Sequence, residues 1–322
     1  MNNKKVAVVA IGGNSLIKDN QHQTVADQYQ AAKETCEHIA DMIEQGWDVA
    51  IGHGNGPQVG FILRRSEIAA KAAGMHEVPL DACGADSQGA IGYALQQNLR
   101  NAFDRRGIRR TAATVITQVR VDADDPAFET PSKPIGTFME EDEARKRAAD
   151  EGWAIVEDAG RGWRRVVASP FPREIVELPA VRRLIDAGIT TITVGGGGIP
   201  VIRDQSAAHD KGLRGVPAVI DKDYASALLA QSIEADLFLI STAVEHVYLN
   251  FGEPDQQPIR EMSVAQARQY IEAGHFAAGS MLPKIKAIVW FLEQGGREAL
   301  VTNPESIARA LKGETGTRIL PE

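Results

Sequence analysis

Three apolar runs in this chain each end in a cluster of glycines: AIGGNS at 10–15, IGHGNGPQVG at 51–60 and VGGGGIPVI at 194–202. A plain turn can be made with one glycine. Several in succession let backbone N–H groups converge and let a ligand come close. A helix starting just beyond such a loop adds its positive N-terminal end, and in open parallel sheets ligands sit at the carboxyl ends of the strands. Each cluster alone reads equally well as a tight β–α turn, but three together point to an anion, most simply phosphate. Gly12, Gly13 and Asn14, then Gly52, His53, Gly54, Asn55 and Gly56, then Gly196 and Gly197 are the candidate contacts. The arrangement is neither of the common ones. There is no GxxxxGK[ST], and no GxGxxG follows the first strand.

The strands carrying these loops alternate with helical stretches, the signature of an α/β protein with a mainly parallel sheet. Strands are expected at 4–11, 47–51, 111–119, 190–194, 236–241 and 298–302. Helices are expected at 25–45, 57–73, 85–102, 174–187, 223–233, 263–273 and 283–294. Residues 121–168 break the rhythm with a Pro- and acid-rich stretch, a short charged helix (EEDEARKRAADEG) and the basic run AGRGWRRVVAS. They read as an inserted lid subdomain, with WRR (163–165) on a solvated or subunit-facing strand edge.

The charge balance narrows the function. A net charge of −8 over 322 residues disfavours a nucleic-acid binder, and the aromatic residues are too scattered for a stacking platform. Cys36 and Cys83 are the only cysteines, in no metal-ligand spacing, so no disulfide framework is expected. No apolar run approaches the ~20 residues of a membrane span. A cytoplasmic protein with no membrane partner is the expectation. No HExxH motif or His/Cys cluster supports zinc, and no GxSxG elbow accompanies Ser15.

Phosphoryl transfer depends on positioning and on neutralising spread negative charge. Three lysines sit on shaped segments. Lys133 lies between two prolines in TPSKPIG, Lys222 between Asp221 and Asp223 in VIDKDYAS, and Lys284 just after Pro283 in GSMLPK. If Pro283 opens a helix, Lys284 sits in its first turn, against the helix dipole, and an anionic partner would explain it. Each lysine also reads as an ordinary surface residue. Asp221 and Asp223 read either as a helix cap and a solvated acid, or as groups that orient Lys222 or hold Mg2+ through water. The side chains of His53 and Asn55 could donate to an anion.

These segments resemble the carbamate kinases of the amino acid kinase superfamily. The resemblance runs essentially end to end through VAIGGNSL, GHGNGPQVG, QGAIGY, ATVITQVRVD, PSKPIG, EDAGRGWRRVVASP, VGGGGIPV, AVIDKDYAS and HFAAGSMLPKIKA. It implies a three-layer αβα fold with an open, mainly parallel sheet and a protruding lid. Residues 1–322 then form one domain, with an acceptor lobe over about 1–190, a nucleotide lobe over about 191–322 and the lid at about 121–168. It also implies a homodimer, and reversible transfer between MgATP and carbamate giving ADP and carbamoyl phosphate, run toward ATP in arginine fermentation.

By that resemblance Gly12, Gly13 and Asn14 match the first phosphate loop, and Gly52–Gly56 the loop beside the small substrate. Lys133 matches the lid lysine reaching the substrate anion. Lys222 and Lys284 match the phosphate lysines and Asp223 the aspartate that organises them. Asp221, Ser241, Thr242, Val247, Tyr248 and Met281 fall with the nucleotide, and no protein-bound metal is implied beyond the Mg2+ of ATP. Ala10 stands where many carboxylate-phosphorylating relatives have lysine, and Glu245 where many carbamate kinases have aspartate. Two other functions remain compatible: a kinase of another small carboxylate or phosphonate, and a non-catalytic nucleotide-binding regulator.

Overall fold

A computed structural model of the chain describes residues 5–12, 16, 24–157, 162–204 and 212–322. Strand β1 (Lys5–Ile11) leads to α1 (Val25–Glu44), β2 (Trp47–His53), α2 (Gly56–Ala73) and the long α3 (Leu80–Arg106). Then come β3 (Ala112–Thr114), β4 (Gln118–Arg120), β5 (Lys133–Met139), α4 (Glu141–Glu151), β6 (Ala154–Glu157), β7 (Trp163–Val167) and β8 (Glu174–Ile175). The chain continues through α5 (Leu178–Asp186), β9 (Thr190–Ile192), β10 (Ile199–Arg203), β11 (Leu213–Gly215), α6 (Lys222–Ser232) and β12 (Leu237–Ser241). It closes with β13 (Val247–Leu249), β14 (Gln257–Ile259), β15 (Glu261–Ser263), α7 (Val264–Glu272), α8 (Met281–Glu293), β16 (Ala299–Thr302), α9 (Ile307–Ala310) and β17 (Thr317–Leu320).

The main sheet has the order β15-β17-β16-β12-β1-β2-β9-β3, parallel throughout except where β17 runs against β16. Its central strands are buried on both faces, which is why they read as unbroken apolar runs. The two-residue period of β1 divides the core. Val8 and Ala10 join the cluster under α6 and α8, while Ala7, Val9 and Ile11 join the one under α1 and α3. β12 does the same with Phe238 and Ile240 against Leu237 and Leu239. Helices thus cover both faces: the alternation's α/β sheet takes the three-layer αβα form that the family resemblance implies.

Several boundaries differ from the sequence reading, each for a local reason. The strand expected at 111–119 is two strands in different sheets: β3 edges the main sheet, and β4 sits in a four-stranded sheet ordered β11-β10-β4-β8. Between them the buried Gln88 side chain accepts from Thr117 N at 2.8 Å and donates to Thr117 O at 3.0 Å, pairing that backbone as a neighbouring strand would. The helix expected from 174 begins at Leu178, because Glu174–Ile175 pairs with β4 first. α3 starts earlier and ends later than 85–102, its interior glycines being no obstacle to a helix held by packing. α8 begins at Met281, which puts Pro283 inside the first turn, where no backbone donor is missed.

Residues 133–167 contribute a three-stranded antiparallel sheet of their own, in the order β5-β7-β6. WRR therefore lies on the central strand β7 rather than on an edge. Its arginines find partners there: Arg164 stacks on Phe138 at 5.1 Å, and Arg165 lies 4.7 Å from Trp153 and pairs with Glu67 at 2.7 Å. α2 crosses this sheet closely enough that a Cβ on Gly60 would lie 2.2 Å from Gly136 N.

Candidate active site

The site lies at the carboxyl ends of β1, β2 and β12, where chain connections diverge to either side of β1. The Gly12 N–H donates to Ser241 O at 3.2 Å and the Gly54 N–H to Ile11 O at 3.1 Å, so the loops after the three strands are tied at their roots.

Its charge is concentrated at the head of α6. Asp221 caps that helix, its Oδ1 accepting from Asp223 N at 2.8 Å. Lys222 and Asp223 follow in the first turn. Asp223, only 3% exposed, accepts from Lys222 through Oδ1 and from Lys284 through Oδ2 at 3.1 Å. Lys133, at the start of β5, pairs with Oδ2 of Asp221. Three lysines from three separate elements thus converge on two aspartates two positions apart, an excess of one positive charge. An ammonium has three donors, so pairing with Asp223 leaves Lys222 and Lys284 free to reach an anion as well.

Burial would raise Asp223, but the charges of Lys222 and Lys284 outweigh it and hold the carboxyl far below the usual range. Asp221 is likewise lowered: burial opposes the shift and Lys133 overcomes it. Burial pushes Lys222 down, with Asp223 opposing and Lys284 adding to the fall. Lys284 is raised, Asp223 outweighing its burial.

The glycine loop after β2 turns its side chains inward. His53 is 1% exposed; its Nδ1–H donates to Gly54 O at 3.0 Å, and its ring lies where a Cβ on Gly195 would sit, 2.3 Å from Nε2. Burial first, then the Lys222 charge, lowers its pKa to about 4 against the Gly54 hydrogen bond, so the imidazole is neutral. Asn55 Nδ2 donates to Ser87 Oγ at 2.8 Å and abuts Gly196, whose φ of +64° and 2.2 Å approach leave no room for a side chain. The neutral His53 thus spends its one N–H on Gly54 O, whereas Asn55 gives only one of its two amide hydrogens to Ser87 and keeps the other, beside the loop backbone, for an anion. Gly52 packs on α6, where a Cβ would lie 2.4 Å from Ser226 Oγ. Gly56 opens α2, and Gly197, at φ +92°, backs onto Ile220 O. Gly13 and Asn14 lie outside the described residues.

Beside the cationic cluster opens a cavity of about 390 Å³, lined by Gly12, Lys222, Thr242, Tyr248, Met281 and Lys284 among others. Ser241 and Val247 do not line it; both are buried. Glu245 is also absent from the lining: its Oε1 accepts from Thr315 at 2.6 Å and Ser306 at 3.2 Å. Phe251, His275 and Phe276 line the cavity and were not anticipated. The segment holding His275 and Phe276 was legible as a motif, but only for its methionine and lysine. Among the described residues no three potential metal ligands cluster, and the two aspartates are engaged by lysines. That donor set suits Mg2+ carried on nucleotide phosphates with its waters, since Mg2+ is rarely held in an all-protein cage.

Residues 5–303 match the model of the amino acid kinase family. The carbamate kinase-like protein YahI of Escherichia coli is 50% identical over 98% of this chain and 99% of its own length. The carbamate kinase of Pyrococcus furiosus is 43% identical, over 98% and 99%. Structures of the Giardia lamblia carbamate kinase superimpose over 99% of both chains, with TM-score 0.92 and 38% identity when bound to citric acid, and 0.89 and 39% when bound to AMP-PNP. The chain belongs to the amino acid kinase family. Within that family it is a phosphotransferase of the carbamate kinase type.

Proposed function

We propose that this protein transfers a phosphoryl group reversibly between MgATP and carbamate, giving ADP and carbamoyl phosphate. The observation that carries the reading is the meeting of Lys222 and Lys284 on Asp223 at the wall of a cavity that also presents Thr242, Tyr248 and Met281. The cavity takes the nucleotide, with its phosphates toward the lysines. Carbamate lies beside the backbone of residues 52–56, and Lys133 reaches its anion from the lid. Carbamate is already an anion, so in-line transfer needs no general base. Gly12, Gly13 and Asn14 cradle the transferring group; Lys133, Lys222 and Lys284 offset its charge, and Asp221 and Asp223 hold those lysines in place. Mg2+, when bound, neutralises further charge on the phosphates.

The family resemblance supports the finer points of the reading: an acceptor lobe and a nucleotide lobe under a lid, a homodimer, a cytoplasmic location and ATP formation during arginine breakdown. ATP production by the purified protein from ADP and carbamoyl phosphate tests the activity; folded protein without it would sink the reading. A second reading keeps the kinase and changes the acceptor, favoured by the carbamate kinase-like name of a relative at 50% identity. Assays with other small carboxylates or phosphonates would reveal it, and nucleotide binding without turnover of any acceptor would mark a regulator.

A further inference from the structure

The cavity has two kinds of wall. Lys222 and Lys284 make one; Tyr248, Phe251, His275 and Phe276 make the other. A nucleotide has the matching division between phosphates and base. The aromatic wall joins two segments distant in sequence, the β13–β14 hairpin and the loop between α7 and α8, and a hydrogen bond between Asn250 and His275 connects them. That bond settles the chemistry of the imidazole. Asn250 Nδ2 donates to the Asp255 carboxylate at 2.6 Å, so the amide atom facing His275 is the oxygen. His275 Nδ1 lies 2.9 Å from this oxygen and must therefore carry the proton. In a neutral imidazole the other nitrogen, Nε2, is then an acceptor. Tyr270 packs edge-on against the ring at 5.8 Å. Phe251 sits at the mouth, 62% exposed, its ring 5.8 Å from that of Tyr248.

We propose that His275 reads the nucleotide base, accepting at Nε2 a hydrogen bond from the exocyclic amino group of adenine, with the adjoining rings of Tyr248 and Phe251 on one side of the base. The inference rests on the reading that this cavity holds a nucleotide. It makes the protein selective by chemistry as well as by shape. Guanine presents a carbonyl oxygen where adenine has its amino group, and would set one acceptor against another. The contact is remote from the phosphates, so it acts on binding and leaves the chemical step alone.

The test compares ATP, purine riboside triphosphate (which lacks the amino group) and GTP, in the wild type and in His275→Phe, at about pH 8, where imidazole is ordinarily neutral. The wild type should prefer ATP over purine riboside triphosphate by about tenfold in kcat/KM, the worth of one hydrogen bond, and over GTP by more. In His275→Phe the first ratio should collapse to within about twofold, through KM with kcat unchanged. Equal use of ATP and purine riboside triphosphate by the wild type would overturn the proposal. So would a preference that survives in His275→Phe, since the amino group would then be read elsewhere, for instance by backbone. Calorimetric binding of ADP and purine riboside diphosphate reads the same ratio without any acceptor. A protein that fails to turn over carbamate still tests the inference, and ADP binding by the variant shows that it folds.

Discussion

The two sides of the site are built on opposite plans. Around residues 52–56 the side chains turn into the protein, His53 against Gly195 and Asn55 against Gly196, leaving mainly backbone to face a ligand. In the cavity across the site, side chains form the wall: Tyr248, Phe251, Met281, Lys284. A ligand of a few atoms needs a tight pocket, and backbone drawn close by glycine makes one. A nucleotide needs a long surface with different chemistry at its two ends, which only varied side chains provide. The glycine-rich side has little room to change without breaking its packing. The other side can be varied residue by residue.

The largest effect should come from the cluster that joins the two plans. Lys222→Ala removes one preorganised charge and should lower kcat by about 10²–10³-fold, with nucleotide binding affected less. Steady-state kinetics with ATP and carbamate check this. A near-normal kcat would mean that the cluster is structural and that the two sides do not meet at a reaction centre.

Gly54→Val tests the backbone plan itself. Its N–H ties the loop to Ile11 O at 3.1 Å, and a branched residue there stiffens the segment that the proposed function places beside the acceptor. Turnover should fall by about 10²-fold through misplacement of the acceptor, while the Kd for ADP stays within about twofold. Equal loss of both would erase the distinction between the sides.

The sequence reading was accurate where the signal is local, and failed where partners come from afar. β1, β2 and β12 were legible because strands buried on both faces have no polar alternation. The settings of the lysines pointed to an anion, Lys284 through its place against a helix dipole, but their meeting on Asp223 was implied only by the family resemblance. The break after Thr114 was not legible, because it depends on Gln88 reaching across from α3. The inward turn of His53 depends on Gly195, far along the chain, and the place of His275 on Asn250, across a hairpin and a helix. Glycine spacing announces a loop that exposes backbone; it does not say which way the intervening side chains face.

That inward turn has a pH signature. His53 falls from an ordinary 6.5 to about 4 in the folded protein, so between those values the unfolded chain binds the extra proton. Stability therefore rises with pH through that window, and falls by about 3 kcal/mol from this group as pH drops from about 6.5 to about 4. The lowered Asp221 and Asp223 act in the same direction, at lower pH, below the ordinary carboxylate range. Denaturant melts of the wild type and His53→Gln across the window separate the groups: the variant's curve should be flatter there. Parallel curves would mean that the imidazole is wet and faces the ligand side after all.

The smallest effect should come from Glu245, which interrupts the likeness to carbamate kinases yet stands outside the cavity. Its carboxylate accepts from Thr315 and Ser306 and lies 3.5 Å from an Arg309 nitrogen, so the longer side chain serves the joint between the end of β12 and the segment around α9. These contacts pull its carboxyl below the ordinary value, the Thr315 hydrogen bond first. Glu245→Asp shortens the reach by one methylene and would loosen those hydrogen bonds without touching Tyr248 or Met281. The KM for ATP should stay within about twofold, as for a change that removes no substrate contact, while the melting temperature falls by a few degrees. A KM change of tenfold or more would show that the nucleotide wall is coupled to this joint, and that the side-chain plan is less tolerant than its exposed residues suggest.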